Sequence, residues 1–342
     1  MTNNETIKLP GLKEFILLMT ESVKETVGEG HSVEVNHVIK NNSIELDGLT
    51  ILKSGERITP NIYLNPYYER YLTGVSIKEL ADEIIQIYNR ADKEEKDPFP
   101  ICFEFNEMKS CIIYRLVNYD KNRKLLQEVP HVYFMDLAIT FHCLVKNNSQ
   151  GIGTIRITNE HIKNWNIGIE DLKEIARINT PAIFPAVIQN MNDVILNILK
   201  NEMHVLPTND DSSSCSASCG AFSQSTDQSG LSDEELFEAM PEGAGRYKTK
   251  SMYVISNNKG INGASCLLYP DVIKNLAEEL KSDLYLLPSS IHEIIAVNAE
   301  DSMDKDTLRE MVFDVNRTQV PEEDVLSDSV YFYSREHNTL TI

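Results

Sequence analysis

The run Val132-Tyr-Phe-Met-Asp-Leu-Ala-Ile-Thr-Phe-His-Cys-Leu-Val145, followed by Gly151-Ile-Gly153, Thr154–Thr158 and Glu160–Trp165, decides the fold class of this chain. β-Branched and aromatic residues dominate its first part and predict a strand. The two glycines reverse the chain into a second strand, and a helix follows directly. Strands joined by so short a turn lie antiparallel, because a parallel pair needs a crossover of about a dozen residues or more. Ile112–Val117 adds a strand just upstream.

Toward the N-terminus, Leu12, Phe15, Ile16, Met19 and Val23 recur at helical spacing and predict an amphipathic helix ending before Gly28 and Gly30. His31–Lys40 and Ser43–Leu52 read as a hairpin turning at Asn41-Asn42, and Ile58–Leu64 as a further extended segment. Ser76 with Glu79 forms a capping box for a helix carrying Ile77, Leu80, Ala81, Ile84 and Tyr88 on one stripe; the charged stretch Asp92–Asp97 before Pro98 ends it. Helices are expected at Ile169–Asn179 and Ile188–Leu199, with Pro181 and Pro185 between them.

From Pro207 to Gly230 the apolar periodicity gives way to Ser, Asp, Gln and Gly, too polar to offset backbone entropy by burial. The expected organisation is an N-terminal domain at 1–206, a serine-rich linker at 207–230 and a C-terminal domain at 231–342. In the last of these, Ser232 with Glu235 makes a second capping box. Strands are expected at Met252–Ser256, Ala264–Leu268, Leu284–Leu287 and Glu293–Val297, helices at Asp271–Lys281 and Lys305–Asn316, and a closing hairpin at Val330–Leu340. The class is α+β with a mainly antiparallel sheet in each region. Leu137–Trp165 and Met252–Lys281 share an order of strand, turn, strand and helix, as a common supersecondary unit would.

The chain has 342 residues, with 32 Lys+Arg against 52 Asp+Glu, so its formal net charge is −20. That charge opposes binding to phosphate backbones and anionic membranes, so no direct nucleic-acid or membrane contact is expected. Six cysteines are too sparse for a disulfide scaffold. With no basic leader at the N-terminus and no apolar run near the roughly 20 residues of a membrane span, the expectation is a soluble cytoplasmic protein. Cys215 and Cys219 lack nearby His or Cys to complete a zinc site, and no cofactor is expected.

Motifs for contiguous chemistry each miss a required part. His292-Glu-Ile-Ile-Ala296 has Ala where the second histidine of a zinc-protease helix must stand. Gly263-Ala-Ser265-Cys-Leu267 lacks the second glycine of a nucleophile elbow. Gly151-Ile-Gly153 leads into a strand and offers no helix N-terminus to a phosphate. His142 and Cys143, adjacent in a strand, face opposite ways and cannot act as base and nucleophile to each other. Glu300, Asp301, Asp304 and Asp306 lack the spacing of a calcium loop and suit the start of a helix. One polar cluster remains, Ser289, Ser290, His292 and Glu293, between two apolar strands; it is the candidate contact for a ligand or partner.

Several stretches carry a resemblance: Asp47-Gly-Leu-Thr-Ile-Leu with Ile58-Thr-Pro-Asn-Ile-Tyr-Leu64, Val129–Leu137, Ile157-Thr-Asn159, Asn179-Thr-Pro181, Met252-Tyr-Val254, Asn262-Gly-Ala264, Leu286–Glu293 and Val325–Tyr331. In these the chain resembles a bacterial family known as domain of unknown function 5688. Asp136–Ile183, with Ala176-Arg-Ile-Asn179, and Leu268–Val297 are more loosely similar to a second uncharacterised bacterial family. Neither resemblance implies an activity, substrate or catalytic residue. The expected function is that of a non-enzymatic, acidic cytoplasmic protein acting through protein contacts, as an accessory factor of a bacterial operon or mobile element. A hydrolase or transferase assembled from distant segments, and a polyanion mimic, remain the alternatives.

Overall fold

The computed structural model of the chain describes residues 10–53, 61–93, 103–148, 151–203 and 252–342. Helix α1 (Leu12–Val27) buries Phe15, Met19 and Val23 and stops at Gly28, whose φ of 71° favours glycine. Strands β1 (His31–Ile39) and β2 (Glu45–Lys53) pair antiparallel around Asn41–Ser43, and β3 (Asn61–Tyr63) adds to β2. Helix α2 (Asn65–Leu72) carries Pro66 in its first turn, and α3 (Ile77–Lys93) starts where the Glu79 N–H donates to Ser76 Oγ at 3.2 Å. Phe15, Met19, Leu49, Ile51, Leu64, Leu80 and Ile84 form the core of this first compact unit, Met1–Ile101.

In the second unit, Cys102–Ile342, the described residues form two sheets. Its first half runs α4 (Phe105–Met108), β4 (Ile112–Asn118), α5 (Arg123–Leu126), β5 (His131–Phe134), β6 (Leu137–Asn148) and β7 (Gly151–Arg156). Strand β6 pairs with β4 along one edge and with β5 and then β7 along the other. Ile112, Tyr114, Leu116, Leu137, Ile139, Phe141 and Cys143 alternate onto the core face.

The expected single strand Val132–Val145 is therefore two strands. They fold back at Met135-Asp136, with Phe134 opposite Leu137 and Met135 at φ 57°. Gly151 and Gly153 do not make the next reversal; they lie within β7, opposite Asn148 and Lys146. At Gly153 a Cβ would come within 3.0 Å of Lys146 Cβ, which explains the small residue there.

Helix α6 (Asn159–Trp165) is capped reciprocally by Thr158 and His161. Helix α7 (Ile169–Ile183) runs past its expected end at Asn179 and through Pro181, because its last turn is tied to β4. Asn179 Nδ2 donates to the carbonyls of Lys109 and Ile112 at 2.9 and 3.0 Å, and the Tyr114 N–H donates to Thr180 Oγ1 at 3.1 Å. The helix expected at Ile188–Leu199 begins later: Ala186–Asn190 is strand β8, and α8 spans Met191–Met203. Pairing with a distant strand overrides the local pattern.

That partner is β9 (Met252–Asn257). With β10 (Leu284–Leu287), β11 (Ile294–Asn298), β12 (Tyr331–Ser334) and β13 (Thr339–Thr341) it forms a six-stranded sheet in the order β13-β12-β10-β11-β9-β8. Among the described residues every strand pairing is antiparallel, so the fold is α+β. Strands from before and after the serine-rich stretch share this sheet. The compact units accordingly divide at Ile101/Cys102 and not at the expected 207–230 boundary. That stretch and the Ser232 capping box lie outside the described residues.

The strand expected at Ala264–Leu268 is a 3-10 helix, Gly263–Leu268, with Gly263 through Leu267 buried, so the apparent echo of Leu137–Trp165 lacks its second strand. Helix α9 spans Val272–Leu280, and α10 (Lys305–Thr318) is capped by Asp304, which accepts from the N–H groups of Asp306 and Thr307 at 3.1 and 3.0 Å. The Thr307 backbone bond, more than any other contact, holds the Asp304 carboxyl below its ordinary range.

Candidate functional site

Ser289, Ser290, His292 and Glu293 occupy the connection from β10 to β11, and the structure sets the segment Asp324–Ser327 against it. Backbone bonds join the two: Ile291 N–H to Asp324 O at 2.8 Å, Leu326 N–H to Ser289 O at 2.8 Å and Ser327 N–H to Pro288 O at 2.9 Å. From the other side, the Ala264 N–H donates to Ile291 O at 3.1 Å and Ser256 Oγ donates to His292 O at 2.8 Å. The polar cluster is thus the junction of three segments.

Within it both imidazole nitrogens of His292 are engaged. Nδ1 accepts from the Asn262 N–H at 3.2 Å, which places the ring proton of the neutral form on Nε2, 3.3 Å from Asp324 Oδ1. A proton-accepting role would need one of these nitrogens free. Ser290 is buried, and its Oγ accepts from the His292 N–H at 3.0 Å while its hydroxyl bonds the Glu293 carboxylate. Burial raises the Glu293 pKa; neighbouring His292 and the Ser290 bond pull it down less strongly. Ser290 and His292 meet through backbone, not as nucleophile and base.

Further along the same segment lies a group that a local reading of sequence misses. The Asp136 carboxylate, in the β5–β6 turn, accepts from the hydroxyls of Ser327, Ser329 and Tyr331. Ser327 and Tyr331 are fully buried. Burial, and after it the Asp136 charge, drives the Tyr331 phenol far above its ordinary range, so it remains a donor. Asn118 adds a bond from Nδ2 to Leu326 O at 2.9 Å, and the Tyr119 N–H donates to Asp136 O at 3.1 Å. One segment, 324–331, therefore carries the partners of both His292 and Asp136. The sequence signal was two of the quoted family stretches, Val129–Leu137 and Val325–Tyr331, with no clue that they touch.

The other reactive types are held in packing. His142 and Cys143 do face opposite sides of β6, with Cys143 in the core and His142 Nε2 3.2 Å from Thr140 Oγ1. Ser265 is buried on the 3-10 helix. With Tyr114, Thr180, Asn257 and Tyr269 it lines a cavity of ≈ 10 Å³, room for about one water-sized sphere, where metabolite pockets run to roughly 300–1,000 Å³. Burial pushes the thiols of Cys143 and Cys266 up to about 12. At pH 8 iodoacetamide is therefore expected to label these two about a thousandfold more slowly in the native protein than in urea, as read by peptide mass mapping.

Among the described residues, no group of three or more His, Cys, Asp or Glu is placed to hold a metal ion, and no helix is long and apolar enough to cross a membrane. No curated protein and no solved structure matches the chain. A family model matches residues 12–335, nearly the whole chain and both compact units, and on that match the chain belongs to the family of unknown function DUF5688.

Proposed function

We propose that this chain is a binding protein that acts through contacts with another protein in the cytoplasm of a bacterium, as an accessory factor and not as a catalyst. The observation that carries this reading is the engagement of both His292 nitrogens: the one imidazole at the candidate site orients backbone and a carboxylate, and has no lone pair left to move a proton. The thiols raised to about 12 support it, since the thiolate is the nucleophilic form. The His292 and Asp324 side chains keep 32% and 24% of their surface exposed, and with Ser289 and Glu293 they form the partner-facing edge.

The test uses the tagged full-length chain in its native cell, with crosslinking, followed by reconstitution with the purified partner. One protein that binds saturably, and is lost when His292 and Glu293 are both replaced by Ala with the circular dichroism spectrum unchanged, is the expected result. Turnover of any substrate by the purified chain that drops at least 100-fold in the same variant overturns the proposal.

A further inference from the structure

On the face of the four-stranded sheet opposite its Ile112–Cys143 core residues, β-alternation brings together Arg115 of β4, Thr140 and His142 of β6, and Arg156 of β7. Arg115 stands opposite Thr140, and Arg156 opposite His142. The two arginines thus flank β6 about 10 Å apart across the strands and two residues apart along them, a span long side chains close from both sides. Thr140 and His142 beneath them are buried, and the arginines are themselves partly buried.

Neither guanidinium forms an ion pair or a side-chain hydrogen bond with a described residue. Arg70, Arg123 and Arg177, all on exposed surface, each hold a carboxylate: Glu83 at 2.6 Å, Asp120 at 2.7 Å and Glu174 at 3.2 Å. Acid is abundant in this chain, with 52 Asp+Glu, yet among the described residues no carboxylate forms an ion pair with either of these arginines. Two like charges side by side, each with five N–H donors and no acceptor, repel each other, and no described side chain offers an acceptor to offset that repulsion. Burial and the neighbouring Arg156 lower the Arg115 pKa to about 10, and burial with both arginines holds His142 neutral. The exposed Glu128 attracts Arg156 without pairing with it.

We infer that this face is a binding site for a phosphate group, either free phosphate or a small phosphomonoester, gripped between the Arg115 and Arg156 guanidiniums above Thr140 and His142. A phosphoryl dianion, at about −1.5 to −2 charge near pH 7, neutralises two guanidiniums and offers three oxygens to their planar forks. A carboxylate would leave one charge over.

The experiment is isothermal titration of the full-length chain at constant ionic strength with inorganic phosphate, phenyl phosphate, sulfate and acetate, alongside R115Q, R156Q and R156K. One-site binding of a phosphate ligand is expected, weakened at least tenfold in both glutamine variants and less so in R156K, which keeps charge but loses the fork. R123Q, at an exposed and already paired arginine, is expected to leave affinity unchanged. Without phosphate, R115Q and R156Q are expected to melt no lower than the parent, since they remove uncompensated charge; with phosphate, only the parent gains in melting temperature. Phenyl phosphate tighter than phosphate by tenfold or more identifies an ester as the ligand, and equal or weaker binding identifies free phosphate. No saturable binding, binding indifferent to both arginines, or acetate binding as well as phosphate overturns the inference. If R115Q does not fold, R156Q and R156K decide by the same criteria.

Discussion

Replacing Asp136 with alanine is expected to lower the unfolding free energy of the second unit by about 3 kcal/mol, read as a fall in the urea midpoint at unchanged slope. The carboxylate accepts from three hydroxyls, two of them on fully buried residues, Ser327 and Tyr331. Its loss removes charge-assisted bonds and also strands their donors, and the stranded donors account for most of the cost. Tyr331→Phe, which removes one donor and keeps the ring in the core, is expected to cost about 1.5–2 kcal/mol. In the double variant the two losses should fall short of additive, because each breaks the same bond. Fully additive losses would mean that the phenol and the carboxylate do not act on each other.

Gly263→Ala is expected to be as damaging, at about 3 kcal/mol, for a steric reason. A Cβ there would sit 2.1 Å from Ser256 Oγ, 2.4 Å from the His292 carbonyl oxygen and 2.8 Å from the Asn257 nitrogen. Two of these are backbone atoms, in β9 and in the candidate site, and they can yield only by moving a sheet strand or the His292 turn. Gly48→Ala is the control. The three atoms nearest its Cβ would all belong to the Asn61 side-chain amide, at 2.1–2.5 Å, which can swing aside, so about 1 kcal/mol is expected. Thermal unfolding of both variants measures the contrast, and equal losses would refute it.

The elements legible in the sequence are those whose reasons are local. α1 and α3 follow from apolar stripes, the β1–β2 hairpin from Asn41-Asn42 between two β-prone runs, and β10 and β11 from short apolar runs bounded by polar turns. The misreadings share a different cause. Met135-Asp136 lacks a glycine or asparagine signal and turns where Asp136 is held from residues 327–331. Ala186–Asn190 reads as the start of a helix and becomes a strand because β9 supplies its partner. Gly263–Leu268 has strand-like composition and coils into a 3-10 turn under the pressure of β9 and the His292 carbonyl.

The candidate site divides in the same way. Ser289, Ser290, His292 and Glu293 stand out as a polar island between apolar strands, whereas Asp324, Asp136 and Asn262, which fix their surroundings or those of the adjoining segment, are distant in sequence. Arg115 and Arg156 are single charges in separate strands and become a pair only once β6 lies between them.

The bond from Tyr331 to Asp136 joins residues 195 positions apart, which bears on how the molecule is made. At translation rates of roughly 5–20 residues per second, a ribosome needs about 10–40 s after synthesising the β5–β6 turn to deliver the tyrosine that secures it. Throughout that interval the nascent hairpin presents an unsheltered aspartate and an unfinished seam, so chaperone protection matters most just before the final strands emerge.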